Sequence, residues 1–132
     1  MAKTTLPALY NTLPTELQNA MRLPTYYCSK GSNTSSSTQI STTTCKIFLP
    51  SVYEIIGKTY GGTNDNTQLP YFANGGSKIF KLNGTAEPYY TRNNDNDSSN
   101  TYYRWISKSG GVSNSTWNSA TTARAYTFLF CI

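Results

Sequence analysis

Ser, Thr and Asn make up 48 of the 132 residues, and they cut the apolar residues into short runs. Lys46–Leu49, Ile79–Leu82, Thr101–Ser107 and Ala125–Ile132 are the main ones. Runs of this length suit strands, and the Gly, Asn and Ser clusters between them suit turns. The chain length is that of one domain, 1–132, able to bury a core without a staple. No stretch approaches the roughly 18 apolar residues of a membrane-spanning helix. The start, Met1-Ala2-Lys3-Thr4-Thr5, lacks the apolar run of roughly 7–15 residues of a secretory signal. Charged residues are 13% and aromatics 14%, which argues for an ordered chain.

A pass along the chain places two short helices early. Thr12 followed by Pro14 reads as a helix start, Leu13, Leu17, Ala20 and Met21 share one face, and Pro24 stops it. This predicts a helix over 12–22. Ser51-Val52-Tyr53-Glu54 reads as a capping box, opening a helix that ends at Gly57. Tyr71-Phe72-Ala73 is a small apolar patch closed by Asn74-Gly75-Gly76. Ile79–Leu82 reads as a strand turned by Asn83-Gly84. Tyr89–Arg92 reads as extended, Asn93–Asn100 as an exposed polar loop, and Thr101–Ser107 as a strand. Ala125–Ile132 reads as a central closing strand. Short helices followed by short strands make an α+β domain.

The three cysteines carry less information. Cys131 sits in an apolar run and reads as a small core residue. Cys28 and Cys45 bracket a Ser/Thr-rich stretch, a pattern suited to two antiparallel strands joined by a long polar loop. An odd count leans towards reduced thiols, whereas a particle outside a cell would permit a Cys28–Cys45 bond worth about 3 kcal/mol. The sequence leaves that pairing open.

The ordered set Ile47-Phe48-Leu49-Pro50-Ser51-Val52-Tyr53-Glu54-Ile55-Ile56-Gly57, Leu69-Pro70-Tyr71-Phe72-Ala73-Asn74-Gly75 and Lys81-Leu82-Asn83-Gly84-Thr85-Ala86 resembles an uncharacterised domain family of gut bacteria and their phages. Phe130-Cys131-Ile132 matches that family's closing strand. Members typically continue with Trp-Trp-Leu-Arg-Ser-Pro, where this chain has Tyr89-Tyr90-Thr91-Arg92-Asn93-Asn94. The family in turn resembles the formylglycine-generating-enzyme-like branch of the C-type-lectin-like fold. That resemblance implies two short helices, a small twisted antiparallel sheet, and a ligand face built from the C-terminal strands and loops. It also implies use as a phage receptor-binding protein, or as the variable protein of a diversity-generating retroelement.

The chemistry of the side chains fits recognition better than catalysis. His is absent, which excludes Ser-His-Asp triads, Cys-His dyads and His-ligated zinc. No carboxylate pair stands at a spacing suited to acid–base work. Calcium wants roughly six to eight oxygens, and Glu87-Pro88 and Trp117-Asn118-Ser119 each lack one oxygen ligand of the lectin motifs they resemble. In residues 89–118, Asn, Tyr, Ser and Asp fill 18 of 30 positions. Those residues make adaptable recognition surfaces. On the 101–107 strand, alternation puts Ile106 inward with Tyr102 and Arg104, and Tyr103 with Trp105 on a face expected to meet solvent.

The expectation is therefore a non-enzymatic ligand-recognition module without cofactor or metal. Its ligand-binding residues would be Asn93, Asn94, Asp95, Asn96, Tyr103, Trp105, Ser107, Asn114, Trp117 and Asn118. Residues 1–30 would form a helical segment attaching the domain to a carrier virion protein or to sister copies. The partner would be a bacterial cell-surface protein or glycan. Nucleic acid is not expected, since the net charge of +5 is spread along the chain. Membrane insertion is not expected either. The site of action would be the virion surface, on a tail or head fibre, or otherwise a bacterial cell surface. The alternative is a structural decoration protein of a virion with no receptor role.

Overall fold

The computed structural model describes residues 2–29, 37–41, 45–59, 67–94, 102–113, 118–119 and 125–132. Two helices open the chain, α1 (Ala2–Tyr10) and α2 (Thr15–Ala20). α2 is the helix expected over 12–22, shortened at both ends, and α1 is an addition to it. The Thr12 hydroxyl donates to the Leu9 carbonyl at 2.7 Å, so it closes α1 instead of opening α2. Pro14 takes the position before α2 and supplies no side-chain cap. Pro7 lies inside α1, and an interior Pro reads in sequence as a breaker. Packing overrides it. Leu6 and Met21 are buried with Cys45 and Ile47, and Leu9, Tyr10, Leu13, Leu17 and Phe128 close around them. The first 21 residues thus share a core with the middle of the chain.

The strands β1 (Thr25–Ser29) and β2 (Ser37–Ser41) form an antiparallel pair, with Cys28 opposite Thr38. The strand containing the residues after Cys45, β3 (Ile47–Phe48), does not join them. It pairs with the last strand of the chain, as described below. Cys45 is buried, and its thiol donates to the Ile47 carbonyl at 3.3 Å. Cys28 and Cys45 are separate thiols.

The second helix expected from sequence is α3 (Val52–Ile56), and its capping box is complete. The Glu54 amide donates to the Ser51 hydroxyl at 3.0 Å and the Ser51 amide donates back to Glu54 Oε2 at 2.8 Å. Gly57 ends it at φ 77°. The apolar patch after Leu69 is a short helix, α4 (Pro70–Ala73). A hairpin follows, β4 (Phe80–Leu82) with β5 (Thr85–Glu87). Its two-residue turn takes Asn83 at φ 51° and Gly84 at φ 83°, the left-handed pair that matches strand twist.

The largest sheet has three antiparallel strands in the order β6 (Tyr89–Asn94), β7 (Tyr102–Ile106), β8 (Asn118–Ser119). Helix α3 lies against β6 and β7, and Ile55, Tyr89 and Ile106 form a second core cluster there. The final strand, β9 (Leu129–Phe130), is a two-residue partner of β3. The expected central strand over 125–132 is corrected accordingly. Ala125 makes one parallel bridge to Tyr89, and the end of the chain runs along the surface. Cys131 is exposed, contrary to its core reading, and its carbonyl accepts from the Arg22 amide at 2.8 Å. The architecture is mixed α+β, with short helices and small antiparallel sheets.

Candidate functional site

The site region is organised by an irregularity in β6. Tyr90 pairs with Trp105 and Asn94 with Tyr103, so Thr91, Arg92 and Asn93 stand where β7 supplies Arg104 alone. Extra residues on one strand bend it and raise its twist. The Thr91 hydroxyl donates to the Arg104 carbonyl at 3.0 Å and holds the bend to β7. The bend turns Arg92 and Asn93 towards the start of α3.

There the two side chains form a closed joint. Arg92 is 7% exposed, and both nitrogens at its tip reach Glu54 at 2.7 Å. Its Nε donates to the Tyr27 carbonyl at 2.8 Å and Nη1 to the Leu49 carbonyl at 2.9 Å. The guanidinium lies over the stacked rings of Tyr26 and Phe48, 5.1 and 5.7 Å from their centres. A buried charge is tolerated when its partner and its remaining hydrogen bonds are all supplied. Burial pushes the Tyr26 phenol up, with smaller contributions from the neighbouring Cys28 and Cys45, and Arg92 opposes it. Asn93 is fully buried, and its Oδ1 accepts from the Val52 amide at 2.6 Å, satisfying a donor in the first turn of α3. Asn93 is therefore corrected from a surface ligand contact to a structural cap. In sequence it reads as the first of eight polar turn formers, and nothing local distinguishes it.

Beyond the joint, the sheet carries an aromatic face. Residues directly opposite in an antiparallel pair share a face, so Tyr90 lies with Trp105, and alternation adds Tyr103 and Ser107. Tyr90 is 4% exposed, edge-on to Tyr103 at 6.4 Å and tilted against Tyr126 at 6.1 Å. Burial raises the Tyr126 phenol above its ordinary value. Tyr103, Trp105 and Ser107 are half-buried. The expected solvent-facing surface is thus a half-covered one, because Tyr90 fills the space between it and the sheet edge. Ser107 anchors the turn that follows. Its amide donates to the Gly111 carbonyl at 2.8 Å, and its hydroxyl accepts from the Gly111 amide at 3.2 Å.

The register brings three sequence-identified residues into one row. Tyr103 pairs with Asn94 on β6 and with Asn118 on β8, so Asn94, Tyr103 and Asn118 cross the sheet side by side. Trp105 and Ser107 follow along the same strand and its turn. Asp95, Asn96, Asn114 and Trp117 lie outside the described residues.

Residues 7–127 match the family profile of DUF6273, a domain of unknown function. The chain belongs to the DUF6273 family. Neither a curated protein nor a solved structure matches it. The match spans the Arg92 joint and the Asn94–Tyr103–Asn118 row, so both lie inside the DUF6273 domain.

The same DUF6273 domain has a cleft that the sequence reading did not identify. A cleft of about 110 Å³ opens between α4 and β4, lined chiefly by Ile55, Tyr71, Phe72, Ile79, Phe80 and Tyr89. Tyr89 forms its floor. Its hydroxyl donates to the Lys78 carbonyl at 3.0 Å, and burial pushes its phenol up to about 12. The signal that could have exposed it is Tyr71 followed by Gly75-Gly76. An exposed aromatic beside paired glycines suggests a ring laid on bare backbone.

Proposed function

We propose that this chain is a non-enzymatic ligand-recognition module with a C-type-lectin-like fold of the formylglycine-generating-enzyme-like branch. It acts as a phage receptor-binding protein or a retroelement-diversified variable protein. It is displayed on a virion fibre or a bacterial surface, where it binds a bacterial surface protein or glycan. The observation that carries this reading is the row Asn94–Tyr103–Asn118 with Trp105 beside it. Asn together with Tyr and Trp is a residue mix that gives large contact area at low entropic cost and adaptable hydrogen bonding. The Arg92 joint supports it, because it fixes the end of β6 from which the row begins. A site on paired strands is held more firmly than one on a loop. The N-terminal segment, whose inner face is part of the core, offers its outer face to a carrier or sister copy.

The test is binding of labelled protein to a panel of gut bacterial cells, beside a variant carrying Tyr103→Ser, Trp105→Ser and Asn118→Tyr. Circular dichroism first establishes that the variant is folded. Strain-selective binding by the parent and its loss or redirection in the variant supports the reading. Absence of binding by both, together with their incorporation into virions, replaces it with the decoration role.

A further inference from the structure

The cleft between α4 and β4 lies apart from the β6–β7–β8 row and has its own recognition chemistry. Its walls are rings and aliphatic side chains, and its volume of about 110 Å³ approaches the roughly 150 Å³ of an engineered cavity that takes benzene. Three large apolar residues lie in the segment that forms it, Tyr71 at 62% exposure, Ile79 at 41% and Leu82 at 53%. Tyr71 and Ile79 line the cleft, and Leu82 shares the hairpin face of the lining residue Phe80, two positions away.

Tyr71 is exposed and yet fixed. Its ring lies on Gly76, where a Cβ would fall 2.5 Å from it, and it meets Phe72 edge-on at 5.1 Å. The Gly76 amide also donates to the Tyr71 carbonyl at 2.8 Å. A solvent-facing ring held in this way loses little freedom when a partner covers it.

Among the described residues, the cleft is lined by one cationic side chain and no anionic one. Lys78 lines it, and among the described residues no carboxylate reaches Lys78 within ion-pair distance. Glu87 stands opposite Phe80 on the hairpin, and its carboxylate faces Lys108 at 3.5 Å. Lys81 is on the other face of β4, opposite Ala86.

We propose that this cleft is a second binding site, which takes an aromatic or branched apolar side chain of a polypeptide partner carrying carboxylates next to that side chain. The apolar walls receive the side chain, and Lys78 selects for the flanking acid. A polypeptide fits better than a small free ligand. The cleft is open where small-molecule sites enclose most of their ligand, and the exposed ring of Tyr71 with Ile79 and Leu82 extends the contact outside it. The site stands or falls independently of the reading given to the β7 row.

The experiment follows backbone amide signals of the full chain by NMR during titration with N-acetyl-Asp-Phe-Glu-amide. N-acetyl-Asn-Phe-Gln-amide and phenylacetate serve as comparisons. The acidic peptide should shift signals of residues 71–80 and 129, and bind roughly threefold more tightly than the amide peptide, the scale of one exposed charge pair. Lys78→Gln should erase that preference, and Ile79→Asp should remove binding of both peptides. Gly76→Ala should weaken both by displacing Tyr71. Ile79 is partly exposed and tests the site even where Gly76→Ala fails to fold. Shifts confined to 102–106, no shifts, or equal binding of the two peptides would overturn the proposal. Phenylacetate binding as tightly as the acidic peptide would overturn the polypeptide assignment.

Discussion

The Arg92 joint and the Tyr103–Trp105 face lie on neighbouring strands and use their side chains in opposite ways. In the joint, the guanidinium meets two backbone carbonyls, one carboxylate and two rings, all from this chain. Asn93 likewise gives its oxygen to Val52. On the face, Tyr103 and Trp105 remain half-buried, and the described ring contact of Tyr103 is to Tyr90 on the neighbouring strand. The polar groups of the joint serve the scaffold, while Tyr103 and Trp105 keep part of their surface exposed. The difference reverses the usual intuition that a polar residue in a variable-looking stretch marks the ligand and an aromatic one marks the core.

The sharpest way to break this comparison is Arg92→Ala. It leaves the partly buried Glu54 carboxylate without its cation and strips the Tyr27 and Leu49 carbonyls of a donor. Urea unfolding should show a loss of about 3–5 kcal/mol. A near-neutral result would mean that the joint is not what holds β6 to α3. Asn93→Ala should cost less, about 1–3 kcal/mol, because one amide in the first turn of α3 loses its acceptor. The same variant should leave cell binding intact once folding is allowed for, and loss of binding in a fully stable Asn93→Ala protein would return Asn93 to the site.

The paired substitution Tyr103→Ser with Trp105→Ser should cost under about 2 kcal/mol, since both side chains are half-buried. It should nevertheless abolish binding to cells. A larger destabilisation with retained binding would invert the comparison. Tyr89→Phe should cost about 1 kcal/mol near neutral pH through the lost bond to the Lys78 carbonyl. It should also flatten the alkaline limb of the stability curve. The unfolded chain releases the Tyr89 proton near pH 10 and the folded chain holds it to about 12, so stability falls as pH rises through that window. Urea midpoints of the two proteins between pH 9 and pH 12 measure the difference. Smallest of all, Cys131→Ser should stay within about 0.5 kcal/mol of the parent, as an exposed thiol allows.

Local signals in the sequence carried much of the fold. The Ser51–Glu54 capping box, the Gly57 stop and the Asn83-Gly84 turn are fixed by contacts within four residues, and each stands where the pattern put it. Tyr89 and Tyr90, which stand where the family has its Trp pair, are in the core. Non-local contacts were not legible. β3 pairs with β9 across some eighty residues, and no short-range pattern chooses that partner over β1. Pro7 hid α1, because the burial of Leu6 that outweighs an interior Pro depends on Cys45 and Ile47. Of the site, the alternation on β7 was readable, but the bulge that buries Asn93 was not. It needs the register with β7 and the donor on Val52, forty-one residues away.

That bulge has a consequence for how such a domain changes over generations. Arg92 and Asn93 fasten the chain to the body two and one residues before the last position of β6, and the chain re-enters the sheet at Tyr102. The end of β6 is thereby fastened to Glu54, Val52, Leu49 and Tyr27, residues far from it in the sequence. A lineage that keeps Arg92, Asn93, Glu54 and Val52 keeps this fastening, whatever else it changes.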